Sequence, residues 1–165
     1  MTVEFRQIEI ADTDAFRAAM DVVARERKYI ALLEAPPIEQ VRAFVKRNVE
    51  RGYPQIIAVE AGAVVGWCNV PPSGRTVSAH VGDLFMGLLP DFRGRGLGEK
   101  LLREAIQASD AFGFRRIELG VFATNTAAAA LYRKVGFVEE GVKRMAILLD
   151  GIHHDEIIMA RLKIK

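Results

Sequence analysis

Apolar and polar residues alternate over residues 3–10, the period of a strand with one buried face. The interval then lengthens. Phe16, Ala19, Met20 and Val23 recur at helical spacing, which predicts a helix capped by Asp12 or Thr13 and running to about Arg27. Pro36-Pro37 breaks the chain. Pro37 suits the first position of a second helix, which carries Ile38, Val41, Phe44, Val45 and Val49 and stops near Gly52. Residues 55–60 and 64–70 are strand-like runs around Ala61-Gly62-Ala63, the signature of a hairpin. After a loop opened by Pro71-Pro72-Ser73-Gly74, residues 80–89 predict a further strand. Leu97, Leu101, Leu102, Ala105 and Ile106 mark a helix from Gly96 to about Phe112. A strand over 116–122 and a helix over 126–135 follow, the latter with Ala128, Leu131 and Val135 inward. Two last strands, 138–149 and 152–163, meet at Asp150-Gly151, a strong two-residue hairpin signal.

The strand–helix–strand unit around residues 80–122 requires a parallel pair with a crossover, so the sheet is mixed and the fold class is α/β (α+β). A length of 165 residues suits a single domain over 1–165 with a substantial core. Hydrophobic residues make up 50% and charged residues 27%, ordinary values for a globular chain. A net charge of +2 is too small for nucleic acid or an anionic membrane to be the main partner. Cys68 is the only cysteine, which excludes an intrachain disulfide, and its apolar strand pattern suits a buried structural thiol. No apolar stretch approaches a membrane span and the N-terminus lacks the shape of a signal peptide, so a cytoplasmic chain is expected.

Residues 93–98 read Arg-Gly-Arg-Gly-Leu-Gly between an apolar strand and a helix start. Glycines let backbone N–H groups approach an anion, and the unpaired donors of a helix's first turn face it with a favourable dipole. Arg93 and Arg95 add positive charge, which points to a diphosphate. A P-loop is excluded because Lys100 stands between Glu99 and Leu101. A dinucleotide fingerprint is excluded because neither start, Gly94 or Gly96, finds glycine at its last position. What remains is Arg-x-x-Gly-x-Gly on Arg93, Gly96 and Gly98, with Gly94 as an extra small residue.

A second segment, residues 121–137, contains Asn125, Ala128, Leu131, Tyr132, Lys134, Gly136 and Phe137 in the pattern Asn-x-x-Ala-x-x-Leu-Tyr-x-Lys-x-Gly-Phe. With both motifs in register, the chain resembles the GNAT superfamily of N-acetyltransferases over roughly residues 3–163. The resemblance implies a GNAT fold with four helices and a mixed sheet of about seven strands, whose parallel strands (here 80–89 and 115–122) splay to admit the pantetheine arm of acetyl-CoA. It implies direct acetyl transfer from acetyl-CoA to a primary amine, with no metal. Cofactor-binding positions then fall on the backbone of Met86 and Leu88, the turn Arg93, Gly94, Arg95, Gly96 and Gly98, and Asn125. Tyr132 corresponds to the family's general acid. Its phenol, ordinarily of pKa about 10, is protonated at neutral pH and can protonate a departing thiolate.

The base is less defined. The position where some members carry a glutamate falls on Gly82, and the nearest titratable groups are His80 and Asp83. In a regular strand His80 shares a face with Gly82, Met86 and Leu88 while Asp83 points away; a bulge reverses that parity, and a water-linked base is equally open. The run Asp150-Gly151-x-x-x-Asp155-x-x-x-Met159-Ala160 resembles members acting on amino acids, phosphinothricin-like compounds or protein N-termini. An α-amine of a free amino acid or similar small molecule is the first expectation, being easier to deprotonate than a lysine amine. Arg25, Arg27, Lys28 and Tyr29 lie at the end of the first helix, where the resemblance implies acceptor recognition and a substrate carboxylate can pair; the alternative for most of them is a solvated basic helix end. The alternatives are a protein N-terminal acetyltransferase and a non-catalytic acyl-CoA-binding module; the latter has no need of Tyr132. A homodimer is compatible with the chain.

Overall fold

The computed structural model describes residues 2–164. Their regular elements, in chain order, are β1 (Glu4–Gln7), α1 (Thr13–Arg25), α2 (Ile38–Arg51), β2 (Gln55–Glu60), β3 (Ala63–Asn69), β4 (Val81–Asp83), β5 (Phe85–Leu88), α3 (Leu97–Phe112), β6 (Arg116–Phe122), α4 (Thr126–Lys134), β7 (Val138–Leu149) and β8 (Ile152–Leu162). The fold is mixed α/β, with the four expected helices and one strand more than the sequence predicts.

The extra strand comes from the run over 80–89, which divides at Leu84. β4 pairs in parallel with β6, whereas β5 pairs antiparallel with β3. The chain therefore changes sheets within a single strand-like segment, giving two four-stranded sheets of order β1-β2-β3-β5 and β4-β6-β8-β7. The last link between β4 and β6 is the Leu84 N–H, which donates to the Glu118 carbonyl at 2.9 Å. Beyond it, β5 and the end of β6 part. This is the splay the resemblance implies.

Alternation sorts the side chains into two cores. Cys68 on β3 joins Leu101, Leu102, Ala105, Leu119, Val121 and Met159 beneath α3 and α4. Its neighbour Trp67 points the other way and packs with Phe16, Val23, Val41 and Val45 of α1 and α2. Phe16 meets Trp67 edge-on, with ring centroids 5.9 Å apart. Leu101 and Leu102 are wholly buried, each contributing about 1.5–3 kcal/mol of transfer free energy.

Helix ends follow from local chemistry. α2 stops at Gly52, which adopts φ 70°. Asp12 does not cap α1 with its side chain; its carboxylate accepts from the Glu9 N–H and pairs with Arg6. α4 ends in Val135-Gly136-Phe137, where Gly136 takes φ 103° and the Phe137 N–H donates to the Tyr132 carbonyl at 3.0 Å. The Gly-Phe of the second motif is thus a helix stop that tucks Phe137 against the Tyr132 ring. Lys134 of the same motif reaches Glu99 of α3 at 2.6 Å and ties the two helices together.

Candidate active site

The register of β5 leaves two amides free. The Leu89 N–H donates to the Val65 carbonyl, so Gly87 opposite Trp67 and Phe85 opposite Asn69 are the residues bonded to β3. Met86 and Leu88 alternate with them and direct their N–H groups away from β3, into the splay. A cavity of about 730 Å³ opens there. Met86, Leu88, Arg93, Gly94, Gly96, Gly98, Asn125 and Tyr132 all line it, so most of the expected site residues converge on one space.

At the glycine turn, Gly94 and Gly96 adopt φ 71° and 76°, conformations that L side chains rarely take. Gly96 precedes α3, and its carbonyl accepts the first helical bond from Lys100. The N–H groups of Leu97, Gly98 and Glu99 therefore have no partner within the helix. A Cβ added at Gly98 would stand 3.5 Å from Leu131, so α4 closes over the start of α3.

The two arginines differ. The Arg93 guanidinium donates to both carboxylate oxygens of Glu26 (2.9 and 2.6 Å), its Nε donates to the Leu88 carbonyl at 2.9 Å, and it lies 4.4 Å from the centre of the Tyr29 ring. Its charge is already met by protein. Arg95 does not line the cavity; exposed and without an ion pair among the described residues, it lies over Phe92.

Asn125 caps α4, its side-chain oxygen accepting from the Ala128 N–H at 3.3 Å, while also facing the cavity. Tyr132 is buried, and burial first, with the nearby Cys68 second, pushes its phenol well above the ordinary value. The neutral form is thereby held throughout the physiological range, as an acid requires. Cys68 is itself wholly buried and its thiol is pushed up by burial, so it is a core residue.

The expected bases lie elsewhere. His80 sits exposed in a turn before β4, where its carbonyl accepts from Arg115 and Arg116. That is the N-terminal end of β6, five residues before Gly120 at the cavity, roughly 16 Å along a strand. Asp83 pairs across from Glu118 and is absent from the lining; burial and then Glu118 raise its carboxyl above the ordinary value. Gly82 has no room for a glutamate, because an added Cβ would stand 2.6 Å from Val70 and 2.9 Å from Phe114. Arg25 and Arg27 are also committed, to Asp21 and Glu34 and to Asp150 respectively.

Three polar side chains not singled out as site residues also line the cavity: Glu99, whose carboxylate is taken up by Arg103 and Lys134, Asn69 and Glu156. Asn69 is buried, and its side-chain oxygen has no hydrogen-bond partner among the described residues. Glu156 of β8 lies over Gly120, where an added Cβ would collide with its carboxylate. Its sequence signal is parity: Glu156 shares a face with Ile158 and the buried Ala160, an unusual place for an acid.

The Acetyltransferase (GNAT) family matches residues 18–137. The chain belongs to the GNAT family. It is an N-acetyltransferase that uses acetyl-CoA as its donor. The L-amino acid N-acetyltransferase of Escherichia coli is 31% identical over 159 residues, covering 94% of this chain and 97% of that protein. A GNAT-family acetyltransferase from Streptococcus pneumoniae has a TM-score of 0.91 at 28% identity, covering 98% of this chain and 100% of its own. A phosphinothricin acetyltransferase from Sinorhizobium meliloti, solved in complex with acetyl-CoA, has a TM-score of 0.83 at 25% identity over 98% and 89% of the two chains. Among the described residues no helix is long and apolar enough to cross a membrane, and no cluster of three or more metal-binding side chains occurs.

Proposed function

We propose that the chain is a single cytoplasmic acetyltransferase domain that moves acetyl from acetyl-CoA directly to the α-amine of a free amino acid or amino-acid-like small molecule. The observation that carries this reading is the cavity itself. The glycine turn, Met86 and Leu88 line it together with Phe16, Met20, Val41, Phe44 and Trp67. The glycine turn and the first amides of α3, with Arg95 nearby, would hold the diphosphate. Met86 and Leu88 would donate to the acetyl carbonyl and the pantetheine amide, Asn125 would meet the arm, and Tyr132 would protonate the departing sulfur. Arg93 positions the turn and takes no direct part.

The apolar walls bear on the acceptor. They suit a compound with a bulky apolar side chain and disfavour a polyamine, whose second ammonium would be desolvated without a partner. The similarity to an L-amino acid N-acetyltransferase along nearly the whole chain supports the same class. Because Arg25 and Arg27 are paired within the protein, recognition rests on the side chain and amine more than on a carboxylate clamp.

A screen of CoA release over L-amino acids, spermidine, aminoglycosides and short peptides with free N-termini tests this. Amino acids with large apolar side chains should give the highest kcat/KM. Polyamines or peptides in that place, with amino acids inert, would overturn the acceptor assignment while leaving the family intact.

A further inference from the structure

The mechanism needs a proton acceptor on the amine side, and neither His80 nor Asp83 is within the cavity. We infer that Glu156 is that group: it receives the substrate ammonium and removes its proton. The inference rests on reading the cavity as the site of acetyl transfer, and it adds the residue that activates the nucleophile.

The sheet geometry defines the side on which Glu156 acts. On β6, Leu119 and Val121 face α3 and α4, so Gly120 and Phe122 face the opposite side. Glu156 is registered opposite Phe122 and belongs to that second face. In the other sheet the same parity groups Trp67 and Asn69, away from Cys68 and toward α1 and α2. Glu156, Asn69 and the apolar walls therefore lie on the acceptor side, and the glycine turn with Tyr132 on the donor side.

The carboxylate is placed by an absence. Gly120 has no side chain, and Glu156 fills the position its Cβ would take, at the point where β5 and β6 part. No hydrogen bond or ion pair engages the Glu156 side chain among the described residues, although it is only partly exposed, stands opposite Phe122 and shares the cavity lining with Ile147 and Trp67. Lys143, opposite it on β7, forms no ion pair with it. An unpaired carboxylate in apolar surroundings favours an ammonium partner, since pairing offsets the desolvation of both charges.

The proton balance closes. The ammonium gives one proton to Glu156, which passes it to solvent, and the neutral nitrogen attacks the thioester carbonyl. The C–N bond forms and the C–S bond breaks as the sulfur takes a proton from the Tyr132 hydroxyl. The second nitrogen proton leaves by way of Glu156 and water while Tyr132 is reprotonated from solvent. The products are the amide, the free thiol and one released proton.

Two probe amines isolate this role: 2-phenylethylamine, an ammonium at pH 7, and 2,2-difluoro-2-phenylethylamine, whose electron-poor nitrogen is far less protonated. Glu156→Gln should lower kcat/KM for 2-phenylethylamine about 10²–10⁴-fold and that for the difluoro amine much less, with KM for acetyl-CoA unchanged. Calorimetry in the presence of CoA should show 2-phenylethylamine binding weakened tenfold or more by the same change. Gly120→Ala, which displaces only the flexible end of Glu156, should reproduce the pattern more mildly in a folded protein. An equal fall for both amines, no fall, or no binding of 2-phenylethylamine to the parent would each overturn the inference. If amino acids prove inert while the probe amine is turned over with this dependence, the acceptor class fails and Glu156 stands. If amino acids are acetylated equally well by Glu156→Gln, the reverse holds.

Discussion

Arg93 looks from the sequence like a phosphate ligand, and in the structure it is a bracket. Replacing it with alanine removes three contacts whose size can be worked out. The ion pair with Glu26 is bidentate, with side chains 30% and 24% exposed. It stands between surface pairs and fully buried ones, at about 1–2 kcal/mol. The Nε bond to the Leu88 carbonyl contributes about 1 kcal/mol. The guanidinium over Tyr29 adds about 0.5–1 kcal/mol. Arg93→Ala should therefore cost about 3 kcal/mol, which for a chain of this size lowers Tm by about 6–12 °C. Glu26→Ala removes only the first contact and should cost about 1–2 kcal/mol. Equilibrium urea unfolding of the parent, both single variants and the double variant closes the cycle, and the double variant should be scarcely less stable than Arg93→Ala alone. A coupling energy below about 0.3 kcal/mol, with the single effects simply adding, would refute the pairing and return Arg93 to the diphosphate.

Tyr132→Phe should lower kcat about 10²–10⁴-fold while acetyl-CoA affinity measured by calorimetry stays nearly unchanged; an unaltered chemical step in single-turnover kinetics would remove the phenol from the reaction. Gly96→Val should raise the Kd for acetyl-CoA sharply, since φ 76° at that position is strained for any branched side chain; parent-like binding would mean the diphosphate sits elsewhere. Asp83→Asn should raise Tm at pH 7. Burial and Glu118 raise the Asp83 carboxyl, so its contribution is full below about pH 4 and is lost as pH rises through the folded-state value. Thermal unfolding at both pH values checks the sign, and a gain as large at acid pH as at neutral pH would contradict it.

Periodicity made the helices and most strands legible, because α1, α3 and β6 each bury one face against a neighbour and their apolar spacing states which. The sheet switch at Leu84 was not legible. Residues 80–89 read as one strand ending in the unbroken apolar run 84–89, and a change of hydrogen-bonding partner leaves no mark on composition. The same event explains the base. Parity counted along one regular strand from His80 loses its meaning where that strand joins a second sheet, and the missing carboxylate comes instead from β8. The convergence of the glycine turn, Met86, Leu88 and Asn125 on one cavity was readable because the turn and the strand before it are close in sequence. Glu26, 67 residues from the arginine it holds, could only be found in three dimensions.

The bracket at Arg93 has a consequence for how this enzyme can change. Glu26 begins the segment that supplies Tyr29, Ile30, Ala31 and Leu32 to the acceptor wall, and Arg27, beside it, reaches Asp150 in the hairpin between β7 and β8. The segment we propose as the acceptor wall is thus fastened at one point to the glycine turn and at another to the C-terminal hairpin. A mutation that redraws this wall for a new amine pulls on both anchors. Under selection for a new acceptor, donor affinity and stability will drift together with specificity, and variants that keep Glu26 and Arg27 while changing Ile30 to Leu32 are the ones that can explore new substrates without losing the turn.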